Sequence, residues 1–300
     1  MTHREHEPPA RCGPGRSSVW ATGNRPAALQ RRGRYNPTSV DHPAKMLPAI
    51  AAHAITAYTR AGEWVLDPMC GIGTTLVEAA HTGRHALGIE LEPSWAEIAR
   101  TNLELAARHG APGTARVHTG DARDLPARLA EQGWAGRAAL LVTSPPYGAM
   151  THGRVRTRRD GAGKVDKWSH RYSPVPEAAQ LAYQKPAVLL ESFTRILAAA
   201  RVLLRPGARV VITTRPYRLR GRLVDFPGQV TRAAEAAGLV AVERCVALLC
   251  GIREGRLVSR ASFFQMVETS RLRREGWPVA VIAHEDVLVL ANPESAEGPA

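Results

Sequence analysis

The stretch that decides the fold runs from Trp64 to Thr75 and reads WVLDPMCGIGTT. A short apolar segment ends at Asp67, a glycine-containing turn follows, and from Thr74 to Thr82 the apolar residues have helical spacing. Glycine lets such a turn approach a ligand closely, and the helix behind it offers free N–H groups. The turn lacks the Gly-Lys-Ser/Thr ending of a phosphate-binding loop and the complete dinucleotide pattern. It therefore predicts a ligand-binding turn, or else an ordinary tight turn, between a strand and a helix.

Strand and helix patterns alternate along the rest of the chain. The predicted strands are 64–66, 85–89, 115–118, 139–143, 209–214, 240–249, 261–268 and 287–291. The predicted helices are 47–58, 74–82, 94–109, 125–132, 178–203 and 228–237. Ser94, with Glu97 three residues on, indicates a capping box. Continuous apolar strands between helices are typical of a parallel sheet covered on both faces, so we expect a doubly wound α/β fold.

Three acidic residues, Asp67, Glu90 and Asp121, come at the ends of three successive predicted strands. The carboxyl ends of parallel strands meet at one edge of a sheet, where ligands bind. Glu90 is placed to accept the hydroxyls of a ribose, and Asp121 to accept from the amine of an adenine. Carboxylates repel a pyrophosphate. The pattern therefore indicates a nucleoside without phosphate charge, and it suits a cationic ligand.

Residues 140–148 read LLVTSPPYG and follow the fourth strand. Two successive prolines make the turn extended and rigid. The amine of a nucleobase is a weak nucleophile because its lone pair is delocalised into the ring. The side chain of Ser144 and the carbonyl of Pro145 can accept the amine hydrogens and favour a pyramidal nitrogen, while Tyr147 can stack on a base taken out of its helix. A plain strand-ending turn is the alternative.

The net charge of +13 at pH 7 is unevenly distributed. Residues 46–150 carry eight basic and ten acidic side chains, whereas residues 1–45 and 151–185 each have a net charge of +5. Residues 215–222 hold four arginines and no acid, and residues 253–275 have a net charge of +3. Basic segments around a neutral block indicate a nucleic acid partner, because a compositional bias alone, which is the alternative, should spread more evenly along the chain.

Domain boundaries follow from this distribution and from the turn-forming residues. We expect a basic, flexible arm at 1–40 and one domain at 41–300, with a basic loop insertion at about 148–185. Within this insertion, basic side chains alternate with aromatic ones, a pattern that suits a phosphate backbone and stacked bases. The candidate nucleic-acid-binding residues are Arg154, Arg156, Arg158, Arg159, Lys164, Lys167, Trp168, Arg171 and Tyr172. A solvated insertion is the alternative. His284-Glu285-Asp286 is interpreted as a surface turn.

Cysteine usage and hydropathy exclude several classes of protein. The four cysteines, Cys12, Cys70, Cys245 and Cys250, form no Cys-x-x-Cys pair, so we expect neither a structural metal nor disulfides. No cysteine follows a proline, which disfavours methylation at carbon 5 of cytosine, a reaction that needs a thiolate nucleophile. No apolar run reaches the length of a membrane span, so no membrane partner and a cytoplasmic location are expected.

Together these residues resemble the S-adenosyl-L-methionine (SAM)-dependent amino-methyltransferases of the N4-cytosine/N6-adenine DNA methylase family. In chain order the similar segments are His42-Pro43-Ala44-Lys45-Met46 (motif X), Asp67 to Thr75 (motif I), Glu90 (motif II), Asp121 (motif III) and Ser144-Pro145-Pro146-Tyr147 (motif IV). Met69 and Ile72 depart from the family pattern, where Phe and Ser are usual. Motif IV follows motifs X and I, whereas many relatives are permuted. A large target-recognition domain is not evident.

The resemblance implies a doubly wound, seven-stranded Rossmann-like methyltransferase fold, with SAM as the cofactor and DNA as the partner. It implies that the cofactor-binding residues are His42, Lys45, Asp67, Pro68, Cys70, Gly71, Gly73, Thr74, Thr75, Glu90, Asp121 and Ala122. The catalytic residues that it implies are Ser144, Pro145, Pro146 and Tyr147. Ser-Pro-Pro is the variant found mainly in N4-cytosine enzymes. We therefore expect transfer of a methyl group to cytosine N4 in DNA.

Three other interpretations stay open. The first is N6-adenine methylation of DNA, which is the same kind of methyl transfer to a different acceptor base. Methylation of guanine N2 in tRNA is the second, because enzymes of that kind share a similar fold and a Pro-Pro-Tyr-Gly segment; Gly148 favours it and Ser144 disfavours it. The third is a nucleic-acid-binding protein that keeps the SAM fold without catalysis. The sequence leaves the oligomeric state open.

Overall fold

The computed structural model describes residues 17–146, 154–156, 166–168, 181–219, 222–261 and 263–294. The strands in this part of the chain are β1 (Val19–Trp20), β2 (Trp64–Asp67), β3 (His85–Glu90), β4 (Ala115–Thr119), β5 (Ala138–Thr143), β6 (Arg154–Arg156), β7 (Asp166–Trp168), β8 (Leu204–Thr214), β9 (Tyr217–Leu219), β10 (Arg222–Val224), β11 (Val240–Leu248), β12 (Gly251–Arg253), β13 (Arg256–Val258) and β14 (His284–Ala291). The helices are α1 (Ala27–Arg31), α2 (Pro48–Tyr58), α3 (Thr74–His81), α4 (Pro93–Arg108), α5 (Leu125–Leu129), α6 (Pro186–Ala200), α7 (Phe226–Ala236) and α8 (Phe263–Arg274).

Eight of these strands form the central sheet in the order β1-β11-β14-β8-β5-β2-β3-β4. Strand β14 runs antiparallel to both of its neighbours, and the other pairings are parallel. The predicted seven-stranded, doubly wound methyltransferase fold is confirmed, and the two-residue strand β1 adds an eighth strand at one edge. Three two-stranded hairpins, β6–β7, β9–β10 and β12–β13, lie outside the sheet.

Helices cover both faces of the sheet. Successive strand residues point to opposite faces, so Val65 packs in the cluster that contains Ile50 of α2 and Leu76 of α3. Its neighbour Leu66 packs in the other cluster, which contains Phe193 of α6. Burial on both faces explains why the central strands are continuously apolar. Because β2, β3, β4, β5 and β8 run parallel to one another, their carboxyl ends lie at the same edge of the sheet.

The N-terminal segment differs from its prediction. Residues 17–40 are assigned to a flexible arm by composition, yet they contribute β1 and α1 to the fold. Trp20 pairs with Ala247 of β11 and is only 3% exposed, and Tyr35 is buried against α3. Two aromatic side chains therefore anchor a segment whose arginines and glycines suggest mobility. Residues 1–16 of the predicted arm lie outside the described residues.

Three predicted elements are also corrected. Residues 261–268 are predicted to be a strand, but Phe263 begins helix α8. The capping box at Ser94 is absent because Pro93 already starts α4, with Glu92 as the N-cap residue and no capping hydrogen bond from a side chain. The long helix predicted at 178–203 begins at Pro186 instead. A proline keeps the residue before it out of the helical region, and this sets the start.

None of the helices in the described part of the chain is long and apolar enough to cross a bilayer.

Candidate active site

A cavity of about 410 Å³ opens at the carboxyl edge of the parallel strands. Its volume lies in the range typical of small-molecule sites. The predicted site residues that line it are His42, Lys45, Asp67, Pro68, Cys70, Gly71, Thr74, Thr75, Glu90, Asp121, Ala122, Ser144, Pro145 and Pro146. One cavity thus brings together the segments that resemble motifs X, I, II, III and IV. Tyr147 lies outside the described residues.

Asp67 at the end of β2 is the buried centre of this arrangement, with 4% of its surface exposed. One carboxylate oxygen accepts from the backbone N–H of Met69 at 3.1 Å and from the Thr143 hydroxyl at 2.9 Å. The other accepts from the Thr75 hydroxyl at 2.7 Å. Burial raises the pKa of Asp67 to about 6, and the three hydrogen bonds oppose that rise. Asp67 therefore fixes the glycine turn, the start of α3 and the end of β5.

Gly71 explains why the turn needs glycine. Its φ is +53°, in the left-handed region, and a Cβ at this position would lie 3.1 Å from Nε2 of His42. Gly73, which was also predicted to bind the cofactor, is not among the described residues that line the cavity. It caps α3 with φ +80°, and a Cβ there would meet the Cβ of Ala99 in α4 at 3.2 Å. The first glycine opens the cavity, and the second allows two helices to pack.

The Glu90 carboxylate, at the end of β3, braces the turn from the neighbouring strand. One oxygen accepts from the Gly71 N–H at 2.7 Å, and the other accepts from the Glu92 N–H at 2.9 Å. Burial raises the pKa of Glu90 to about 7. Each carboxylate oxygen keeps further acceptor capacity, so Glu90 can hold the turn and still accept from a ligand hydroxyl.

Asp121 has a partner that the sequence did not reveal. The guanidinium of Arg123 donates to both carboxylate oxygens, through Nε at 2.9 and 3.0 Å and through Nη2. The backbone N–H of Arg123 also donates to Oδ1 at 2.9 Å. Burial would raise the pKa of Asp121, but the hydrogen bonds and the charge of Arg123 lower it below its ordinary value. This carboxylate is therefore held ionised and oriented at the wall of the cavity.

His42 and Lys45 form the wall on the N-terminal side. Burial and the charge of Lys45 lower the pKa of His42 to about 3, so the ring is neutral. The ring packs edge-on against Trp95, with 4.8 Å between the centroids. The ammonium of Lys45 donates to the carbonyls of Val40 and His42. These contacts hold His42 and Lys45 in place at one wall of the cavity.

Ser144 and Pro145 come directly after β5. Pro145 is buried, and Ser144 and Pro146 are half-buried at the cavity wall. Thr143 of the same strand donates to Asp67 across the sheet. The two predicted amine acceptors therefore lie in the same cavity as the glycine turn, at the next parallel strand along the sheet.

Several cavity residues were missed by the sequence analysis. Arg31 belongs to the segment assigned to the arm, and Arg215 and Glu285 come from the second half of the chain. Leu181 and Ala182 form part of the apolar wall. The sequence could have indicated Arg215, because this residue directly follows a predicted strand. It could not have indicated Glu285, because the antiparallel direction of β14, which places its first residues at this edge, cannot be seen in the sequence.

The candidate nucleic-acid-binding residues are only partly described. Arg154 and Arg156 lie on β6, and Lys167 and Trp168 lie on its antiparallel partner β7, with Arg154 opposite Trp168. Arg158, Arg159, Lys164, Arg171 and Tyr172 lie outside the described residues. Exposed arginines also lie on the β9–β10 hairpin, which follows the cavity residue Arg215, and on the β12–β13 hairpin, which follows β11. These are Arg218, Arg222, Arg253 and Arg256.

The chemistry of the cavity fits SAM. The turn at Gly71 leaves space at the N-terminus of α3, Glu90 offers acceptors for ribose hydroxyls, and Asp121 offers acceptors for an adenine amine. Carboxylates around the site suit the positive charge of a sulfonium. Across the described ranges, no group of three or more His, Cys, Asp or Glu side chains is placed to hold a metal ion.

The topology and the chemistry of this cavity are those expected for binding SAM in a Rossmann-like methyltransferase fold. Residues 5–101 match the model of a DNA methylase family, which confirms the resemblance to DNA amino-methyltransferases.

Individual relatives are of two kinds. A tRNA (guanine(10)-N2)-dimethyltransferase of Methanothermobacter thermautotrophicus is 34% identical over 108 residues, which are 36% of this chain and 29% of that protein. Type II methyltransferase M2.DpnII of Streptococcus pneumoniae is 40% identical over 63 residues, 21% of this chain and 24% of that protein. Both matches span less than a third of the relative. The crystal structure of TrmN from Thermus thermophilus aligns with 88% of this chain and 53% of that chain, at 20% identity and a TM-score of 0.49.

Proposed function

We propose that this protein transfers the methyl group of SAM to an exocyclic amino group of a nucleobase in nucleic acid, with cytosine N4 of DNA as the acceptor. The observation that carries the proposal is that Ser144 and Pro145 line the same cavity as the glycine turn, Glu90 and Asp121. The proposed acceptors for the amine hydrogens and the proposed nucleoside site thus lie in the same cavity. This is the arrangement that methylation of an amine requires.

When bound, SAM supplies a methyl group on a positively charged sulfur, which makes the methyl carbon electrophilic. The Ser144 hydroxyl and the Pro145 carbonyl accept the two hydrogens of the acceptor amine and localise its lone pair on nitrogen. That lone pair would accept the methyl group supplied by SAM, which Glu90 and Asp121 would hold at the glycine turn, and the amine would release one proton to solvent. Catalysis then rests on placing the two reactants in line.

The partner is supported by the distribution of charge. The exposed arginines Arg218, Arg222, Arg253 and Arg256 lie on the β9–β10 and β12–β13 hairpins. A phosphate backbone needs basic side chains beside the pocket that receives the base. The base itself must leave its helix to reach Ser144. We expect Tyr147 to stack on that base.

Guanine N2 of RNA is the second candidate acceptor. Three relatives described as tRNA (guanine(10)-N2)-dimethyltransferases match 106 to 111 residues of the chain at 32 to 34% identity. The type II methyltransferases match shorter segments of 54 to 69 residues. The longer matches to the tRNA enzymes favour this candidate, and Ser144 favours cytosine. The two candidates share the reaction and differ only in the acceptor.

Ser144→Ala tests the role of the amine acceptor. We expect kcat to fall about 100-fold, because one hydrogen-bond partner of the transition state is removed, while the Kd for SAM stays within about twofold. Radiolabelled methyl transfer measures the first quantity and calorimetry the second. Ser192→Ala, a buried serine of α6 in the core, is the control for a loss of stability without loss of an acceptor. Full turnover by Ser144→Ala would contradict the proposed role.

A further inference from the structure

Glu285 lies at the wall of the cavity, opposite the side formed by the glycine turn. Strand β14 is antiparallel to β8, and Asp286 pairs with Thr214. Continued by one residue, this register sets Glu285 beside Arg215, which follows β8. Both residues line the cavity together with Ser144. A carboxyl group therefore lines the cavity that holds the proposed amine acceptors, and the proposed mechanism leaves it without a role.

The surroundings of Glu285 shift its pKa upward. Burial raises its pKa, the charge of Asp286 adds to the rise, and the charge of Arg215 and the Thr213 side chain oppose it. The net direction is upward. On its own strand His284 is near, and Arg244 of β11 binds the Asp286 carboxylate at 2.9 Å. The other charged or titratable groups that line the cavity are Arg31, His42, Lys45, Cys70, Asp67, Glu90 and Asp121.

The ring nitrogen beside the amine distinguishes the candidate bases. In cytosine this atom is N3, and in adenine it is N1; both are hydrogen-bond acceptors. In guanine the carbon that carries the N2 amine lies between two ring nitrogens: N1–H, a donor on the Watson–Crick edge, and N3, an acceptor on the other side of the amine. A protonated carboxyl group donates to an acceptor nitrogen, whereas an ionised carboxylate accepts from N1–H. A protonated carboxyl group in the cavity that Ser144 lines therefore favours cytosine over a guanine that presents its Watson–Crick edge.

We propose that the Glu285 carboxyl group, which lines the same cavity as Ser144, donates a hydrogen bond to the ring nitrogen beside the amine that Ser144 receives, and so favours cytosine over a guanine that presents its Watson–Crick edge. This rests on the proposed function and adds a specificity-determining residue to it. Arg215 lines the cavity with Glu285, and its positive charge acts on this carboxyl group. A neutral carboxylic acid kept in a partly buried site for this purpose is an established device in enzymes.

The test compares wild type, Glu285→Gln and Glu285→Ala, with Glu104→Ala on the exposed face of α4 as the control. Methyl transfer to DNA of mixed sequence and to unmodified tRNA is measured between pH 6 and 9, with the product bases separated by mass spectrometry. SAM binding and the thermal midpoint are measured on every variant, which separates a weaker interaction with the base from a failure to fold.

We expect Glu285→Ala to lower kcat/KM on cytosine by about 10- to 100-fold, the effect of removing one buried hydrogen bond, with the Kd for SAM within about twofold. Wild-type activity falls as the pH rises through the pKa of Glu285, because the ionised form has no proton to donate. Glu285→Gln keeps activity through its amide N–H and does not show this fall. Glu104→Ala behaves as wild type.

Three results would overturn the inference. The first is a Glu285→Ala variant with wild-type kcat/KM, and the second is a Glu285→Gln variant with the same high-pH fall as wild type. The third is a wild-type enzyme that methylates guanine and gains activity as Glu285 ionises. Wild type that binds SAM but methylates no base in either substrate would instead remove the proposed function, and the inference with it.

Discussion

The hydroxyl of Thr143, the last residue of β5, donates a hydrogen bond of 2.9 Å to the carboxylate of Asp67, the last residue of the neighbouring strand β2. Thr143 directly precedes Ser144, and Asp67 directly precedes the glycine turn. The position of the proposed amine acceptor is therefore tied to the position of the cofactor turn through one buried carboxylate. The proposed methyl transfer needs its two reactants held in line, and this hydrogen bond is one contact that joins the two parts of the site.

Thr143→Val removes the hydroxyl and keeps the shape. We expect the free energy of unfolding to fall by about 1 to 3 kcal/mol, because a carboxylate oxygen without exposure to water loses one of its two donors. We also expect kcat to fall more than the affinity for SAM. Urea denaturation and single-turnover methyl transfer measure the two effects. Thr56→Val on the exposed face of α2 is the control, and an equal loss in both variants would remove the special role of Thr143.

Asp67→Asn changes how stability depends on pH. Burial raises the pKa of Asp67 to about 6, so the folded state binds this proton more tightly than the unfolded chain does. The stability due to the group is present below the unfolded pKa, near 4, and is lost as the pH rises through about 6. The loss is on the order of 3 kcal/mol.

The asparagine side chain has no such proton, and its amide can still accept from Met69 and Thr143 and donate to Thr75. We therefore expect the difference in unfolding free energy between wild type and variant to change between pH 4 and pH 7, in favour of the variant at the higher pH. Urea denaturation at a series of pH values gives this difference. A constant difference across the range would contradict the raised pKa of Asp67. Glu90 contributes a slope of the same sign in both proteins.

Gly71→Ala and Gly33→Ala separate backbone strain from the close approach to His42. Both glycines have positive φ, +53° and +70°, but a Cβ at residue 33 meets no atom within 4 Å. Gly33→Ala is expected to cost about 1 kcal/mol of stability and to leave SAM binding unchanged. Gly71→Ala is expected to cost more and to weaken SAM binding at least tenfold, because His42 must move. Thermal unfolding and calorimetry measure both, and equal behaviour of the two variants would refute this.

The β6–β7 hairpin is tested through the salt dependence of binding. We expect Arg154→Ala with Arg156→Ala to weaken DNA binding and to reduce the slope of log K against log salt by about 0.9 for each phosphate that is no longer neutralised. The matched control is Arg60→Ala with Arg108→Ala, two exposed arginines at the opposite edge of the sheet. Fluorescence anisotropy between 50 and 300 mM salt measures the slope. An unchanged slope in the hairpin variant would mean that the insertion is a solvated loop.

The sheet and most of the cavity could be predicted from the sequence because their signals are local. An apolar strand followed by Asp67, Glu90 or Ser144 can be recognised without knowing what packs against it. The helix at Phe263–Arg274 could not, since residues 261–268 are rich in β-favouring side chains and only tertiary context decides. Trp20 likewise anchors residues whose composition suggests an arm.

The missed cavity residues depend on long-range geometry. Glu285 reaches the site because β14 is antiparallel and starts where the parallel strands end, which no local pattern reveals. Arg123 is only two residues from Asp121 in the sequence, but its guanidinium reaches the carboxylate because the chain turns between them, and the sequence does not reveal this turn. The sequence therefore predicts which acids line the cavity, while the structure is needed to find the residues that bind these acids and the residues on the other walls.

Nucleoside mass spectrometry after incubation with trideuteromethyl-labelled SAM tests the central claim most directly. DNA of mixed sequence and unmodified tRNA are treated with the wild-type protein and with Ser144→Ala, digested, and separated. We predict a labelled amino-methylated base, with N4-methylcytosine in DNA as the expected product, and a loss of that product in the variant. A wild-type protein that binds SAM and leaves the amino groups of cytosine, adenine and guanine unlabelled in both substrates would contradict the proposed methyl transfer.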